Sequence, residues 1–232
     1  MSLDYFPAGV PPGSLFKMSI EDMEEIVKDF DDKGPLNSAA ELCIIGLASY
    51  FEAYCKNQFA SIINICPHLL ANFVEKRSEL SIPINDLLDF DFNVKSNIGF
   101  ILSEKYDFGS AKKVNGLFQD LLKCTPFSST DKKLYDKFLA DRNLLVHHGG
   151  TFTHNYGKQY FKRKIDNKSR IFFDSLVVKK ANYLEYAKFI DAMAKKINDK
   201  THSLLCKTIR ENGWILDEVA SQALNMLDYY EN

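Results

Sequence analysis

With 232 residues, 46% hydrophobic and 13% aromatic, the chain can bury a full core as one large domain, and no apolar run approaches the length of a membrane span. Five cysteines without paired spacing fit a reducing interior. The first residues carry neither the basic nor the apolar region of a secretion signal, so a soluble, cytoplasmic protein with no membrane partner is expected. The formal charge of −2 conceals a polarity: residues 1–106 carry 8 Lys and Arg against 16 Asp and Glu, whereas residues 107–232 carry 21 against 15. That excess fits either an anionic partner of the C-terminal half or helices that simply need solvated lysine faces.

The Pro- and Gly-rich residues 1–18 are expected to form an N-terminal arm. Ser19, with Asp22 three residues on, reads as a helix start, and Gly34-Pro35 as the break near residue 32. A second helix is expected from about Asn37 to the mid-60s. Between Leu42 and Cys55 it carries one charge, Glu52, and a helix apolar nearly all round is a central, buried one. Further helices are expected at about 68–80, 94–106, 110–123 and 130–147, the last stopped by Gly149-Gly150, with an irregular connection at 86–92. Residues 159–165 and 170–178, around a turn-like Asp-Asn-Lys-Ser, resemble a β-hairpin, and helices at about 180–208 and 214–229 finish the chain. The class is all-α, a helical core over 19–150 with a small β-hairpin insertion and C-terminal helices over 151–232 packed on the same domain.

The most informative stretch is Arg142-Asn143-Leu144-Leu145-Val146-His147. At about 100° per residue, Leu134, Tyr135, Phe138, Leu139, Leu145 and Val146 fall on one apolar stripe with Arg142 in its middle. A guanidinium stays charged, so its place there demands an anion, either a carboxylate of the fold or a phosphate from outside.

This Arg-Asn-x-x-x-His run on a late helix ending in glycine, together with the central helix bearing Ser49-Tyr50-Phe51-Glu52-Ala53-Tyr54, resembles the HEPN superfamily (higher eukaryotes and prokaryotes nucleotide-binding). The resemblance covers about 37–150 and is to larger stand-alone members. It implies a metal-independent endoribonuclease of toxin or phage-defence type, acting on RNA as a homodimer. The sites it implies are Arg142, His147 and Asn143. A cognate antitoxin or inhibitor protein is a further partner it implies. Some family toxins carry a tyrosine two residues after the histidine, the target of an inactivating nucleotide transfer; Gly149 stands there, so inhibition would take another route.

Cleaving RNA without a metal needs a base for the 2′-hydroxyl, an acid for the leaving 5′ oxygen, and positive charge on the phosphate. Imidazole ordinarily titrates near neutrality, so His147 suits either proton-transfer role. Arg142 offers a bidentate fork for phosphate oxygens, and Asn143 lies four residues before His147, on the same face. Glu52 is placed as a support for Arg142. One chain brings one such histidine, so a twofold dimer supplies acid and base together.

Other readings compete. Arg142 and Glu52 could form a buried ion pair that only fixes helix register, and the two histidines could only cap carbonyls, leaving a catalytically inactive HEPN-like module that binds RNA, nucleotides or a protein. His147, His148 and His154 lack a further ligand at zinc spacing, so no metal and no cofactor is expected. Lys158, Tyr160, Lys162, Arg163 and Lys164 interleave aromatic and basic side chains, suited to stacking on bases and contacting phosphates or, equally, to guarding a hairpin edge.

Overall fold

The computed structural model describes residues 1–29, 37–77, 81–89, 94, 96–161 and 174–228. Their helices are α1 (Pro12–Asp29), α2 (Ser38–Ile65), α3 (Leu70–Lys76), α4 (Ile84–Leu88), α5 (Ile98–Ser103), α6 (Ala111–Leu122), α7 (Ser129–His148), α8 (His154–Tyr160), α9 (Lys180–Glu211) and α10 (Glu218–Leu227). The expected all-α class holds for these residues. None of these helices is long and apolar enough to cross a membrane.

Helix α2 is the centre. Asn37 caps it by accepting from the Ala40 amide at 2.9 Å, and its second half, from Gln58 to Ile65, is buried without a break. Helices α1, α5, α7 and α9 all pack on it. Its polar groups find partners across helix boundaries: Tyr54 donates to the Ala194 carbonyl at 2.8 Å and Gln58 to Thr201 at 3.0 Å, both on α9. These two pairs tie α9 to α2, while Gln58 Oε1 and Ser61 Oγ of α2 are buried with no partner among the described residues. Aromatic rings fill the space between, with Phe51 against Phe16 of α1 at 5.8 Å and against Tyr135 of α7 at 5.4 Å.

Helix α5 comes closest to α2. A Cβ on Gly99 would sit 2.0 Å from the Ala60 carbonyl oxygen, and the Gly99 amide donates to Asn64 at 2.6 Å. Only glycine fits a backbone approach that close.

Several boundaries differ from expectation. Residues 1–18 do not form an arm: Tyr5 and Phe6 are buried, and α1 begins at Pro12, which suits a first helical turn because it has no amide to leave unpaired. Ser19 is therefore inside α1, its hydroxyl donating back to the Leu15 carbonyl. The stretch expected to be irregular contains α4, and α5 is shorter than 94–106. The hairpin over 159–165 and 170–178 is not formed as expected, since Gln159 and Tyr160 end α8. Thr153 caps that helix, and rings at 152, 156 and 160 share one side of it, a helical spacing. Instead, residues 150–152 lie antiparallel to 174–176 through a single Thr151–Ser175 bridge. Residues 162–173 lie outside the described residues.

Replacing Gly99 by alanine should be among the most damaging single-methyl additions in this chain. An overpacking cost of about 3 kcal/mol is expected, which for a domain of this size lowers the melting temperature by about 6–12 °C. Thermal denaturation followed by circular dichroism checks it; an unchanged melting temperature would mean α5 does not sit against Ala60.

Candidate functional site

The site lies along α7, whose ends are set by local chemistry. Ser128 accepts from the Asp131 amide while Asp131 accepts from the Ser128 amide at 2.8 Å, a reciprocal capping box. The Lys196 ammonium of α9 binds the same Asp131 carboxylate. Partial burial would raise the Asp131 carboxyl, but Lys196 and Ser128 prevail and hold it below the ordinary range. At the other end Gly149 adopts a left-handed conformation (φ 55°), and the Gly149 and Gly150 amides both return to the Leu144 carbonyl.

The buried face of α7 is Tyr135, Phe138, Asp141 and Leu144, stepping by three. The charge on that face is therefore Asp141, 3% exposed, and Arg142 is half-buried at its edge. The expected stripe was rotated: Leu134 and Val146, taken as part of it, are 50% and 43% exposed.

Asp141 collects donors from three helices. Lys137 approaches both oxygens at 2.5 and 2.6 Å, Tyr156 of α8 donates at 2.5 Å and Tyr186 of α9 at 2.5 Å. The Lys137 ammonium also lies over the Tyr156 and Tyr160 rings at 5.3 and 5.4 Å. A cavity of 330 Å³ opens beside this cluster, walled by Ile44, Leu134, Val178 and Phe189. The cluster was missed in the sequence, although the i,i+4 Lys137–Asp141 spacing and the three-residue step Tyr135, Phe138, Asp141, Leu144 are visible there.

Arg142 is accounted for differently. Its Nη1 donates to Asn143 at 3.1 Å, and its Nε is buried with no acceptor among the described residues. It forms no ion pair with Glu52, so the buried-pair alternative fails. Glu52 is half-buried, its carboxylate lying beside Gly109, at 3.4 Å from where a Cβ would stand there. Glu52 and Arg142 both act electrostatically on Tyr135, which sits against Phe51 of α2. Burial pushes the Tyr135 phenol well up, Glu52 adds to this and Arg142 opposes it.

Asn143 and His147 are exposed, four residues apart on the last two turns of α7, and His148 is exposed beside them. The structure thus brings Arg142, Asn143 and His147 together at an open helix end. Lys158 and Tyr160 lie on α8. Lys158 is exposed, but Tyr160 spends its hydroxyl on the Asp136 carbonyl at 3.2 Å and its ring on Lys137. Lys162, Arg163 and Lys164 lie outside the described residues. Among the described residues no three His, Cys, Asp or Glu side chains gather as metal ligands. Compared with protein-family models, with curated proteins and with solved structures, the chain matches none.

The Asp141 cluster has a measurable consequence. Burial first, then the hydrogen bond to Asp141 and its negative charge, push the Tyr156 and Tyr186 phenols far above the ordinary tyrosine range. The folded state therefore keeps protons that the unfolded chain gives up above about pH 10. Stability present at neutral pH is lost as pH rises past that point. A Tyr156→Phe/Tyr186→Phe variant should be less stable than the parent at pH 7 but lose stability less steeply between pH 9 and 11.5. Urea denaturation across that range measures both; equal steepness would remove the two phenols from the account.

Proposed function

We propose that the chain is a metal-independent endoribonuclease of the HEPN type, with Arg142, Asn143 and His147 at its cleavage site. The observation that carries this is Arg142: a guanidinium with no carboxylate partner among the described residues, beside an exposed asparagine and histidine on the same helix end. A cation left uncompensated by its own fold is suited to an anion from outside.

In the reaction proposed, the 2′-oxygen forms a bond to the adjacent phosphorus as the bond from phosphorus to the 5′ oxygen breaks. One imidazole takes the 2′-hydroxyl proton and a protonated one gives its proton to the leaving 5′ oxygen. The products carry a 2′,3′-cyclic phosphate and a 5′-hydroxyl. Arg142 stabilises the charge on the crowded phosphate, and Asn143 orients the imidazole or the substrate. Glu52 contributes at a distance, lying beside Gly109 with its charge felt at Tyr135, and not as a direct partner of Arg142. The second imidazole comes from a second copy of the chain, for which Val146, 43% exposed beside His147, offers an apolar contact. A toxin or phage-defence setting, a cytoplasmic location and a partner inhibitor belong to the same proposal.

Incubation of the protein with single-stranded RNA in EDTA, beside Arg142→Ala and His147→Ala, tests it. The parent should leave cyclic-phosphate ends and each variant should lose about 100-fold or more in rate, the scale of a lost proton-transfer or charge-stabilising group. Light scattering should find two chains. RNA binding without cleavage would make the protein a binding module instead, and a strict monomer that cleaves would overturn the composite site.

A further inference from the structure

A cleft of 510 Å³ opens on a part of the surface formed by the end of α3, the loop 105–110 and the first half of α6. Arg77, Lys105, Lys112 and Lys113 line it, against one acid, Asp107. Two of these cations are ion-paired. Arg77 binds Asp120 at 2.8 Å and rests over the Phe73 and Tyr106 rings, and Lys113 is held by Asp107. Lys105 donates to the Ser81 carbonyl and keeps two further N–H groups, while Lys112 is exposed and has no ion pair among the described residues. The start of α6 opens into the same cleft, where Ser110 caps the Lys113 amide and the helix dipole adds positive potential. Gly116 stands in the wall with nothing within 4 Å of where its Cβ would be, so the cleft has room over the helix backbone.

The loop that borders the cleft meets the central helix at Gly109. That residue lies between Asp107 and Ser110 of the cleft lining and against the Glu52 carboxylate of α2. A negatively charged strand crossing this junction meets a backbone without a side chain at Gly109 and an acid beneath it at Glu52. Phosphates are disfavoured over Glu52 and favoured at the α6 lysines and at Arg142.

We propose that the α3–α6 cleft binds the phosphate backbone of a single-stranded RNA whose scissile phosphate lies at Arg142. The cleft is open and its free cations are flexible lysines, which suits an extended polyanion contacted through its backbone and read without regard to sequence. The location of the strand's other end rests on the nuclease proposal above; the binding itself does not.

Two variants test the cleft in different ways, with melting curves confirming that each folds. Lys112→Glu/Lys113→Glu reverses its charge, and Gly116→Glu places an anion in its open wall without removing a cation. Fluorescence anisotropy with a labelled 20-nucleotide single strand should show affinity falling at least tenfold in both. Each phosphate contact on a single strand adds about 0.7 to the salt-dependence slope. With Lys113 already paired to Asp107, the double reversal should make the slope shallower by at least about 0.7, the share of Lys112. Parent-like affinity and slope in both variants would overturn the cleft while leaving the nuclease proposal standing. A parent that cleaves nothing, with both variants losing affinity, would do the reverse. No RNA binding by the parent would remove both.

Discussion

A carboxylate taken out of water needs donors for both oxygens, and Asp141 draws them from three helices: Lys137 of its own α7, Tyr156 of α8 and Tyr186 of α9. Removing any donor leaves a buried charge short of partners, so the four side chains hold together or fail together. The consequence for function is geometric. Asp141 is the residue before Arg142, and its contacts with α8 and α9 tie this part of α7 to both helices. The Gly149 and Gly150 amides close the same turns from below. Arg142, Asn143 and His147 thus stand on a helix end tied down on both sides, as the cleavage site proposed above requires.

Adjacent residues on one helix carry opposite accounts. Asp141 is sealed and fully satisfied from within the fold, whereas Arg142 is half-buried with one donor on Asn143 and its Nε without an acceptor among the described residues. The negative member stabilises the architecture and the positive one is left available. Had Glu52 closed onto Arg142, the two charges would have cancelled in a structural pair; instead its carboxylate rests against Gly109. The 105–110 loop, which also borders the basic cleft, thus meets α2 at Gly109.

Much of the frame was legible because it depends on local rules. Asn37 and Ser128 cap where capping chemistry places them, Gly149 ends α7 in the left-handed conformation that glycine favours, and the nearly uncharged stretch around residues 42–55 belongs to the central helix. What was not legible depends on tertiary contacts. Burial of Tyr5 and Phe6 turns Pro- and Gly-rich residues into part of the fold, which composition argues against. The 159–160 pair looks like strand until Thr153 caps a helix and Phe152, Tyr156 and Tyr160 line up at four-residue spacing. The phase of α7 was misjudged because a helical wheel weighs only hydrophobicity. Leu134 and Val146 draw the stripe toward Arg142, while the real face turns toward a carboxylate whose partners lie 15 and 45 residues away.

That error of phase bears on the chemistry. An arginine in the middle of a buried stripe must be neutralised by the fold or be intolerably costly, so the sequence posed a choice between an internal acid and an external phosphate. The rotated face removes the dilemma: an arginine at the edge, with part of its guanidinium enclosed and part near solvent, needs no internal counter-ion to be tolerated. Its free capacity is then a property of position and not of strain. The same holds for Lys112 and Lys105 across Gly109, which keep donors because they face an open cleft. Positive charge is thus held in two places, at Arg142 on α7 and at the cleft beside α6, and Lys112, Lys113 and Arg142 fall in the half of the chain where basic residues outnumber acidic ones. A single small anion would be served by one such cation; two separated groups of them, with an acid between, match a ligand whose charges repeat along its length.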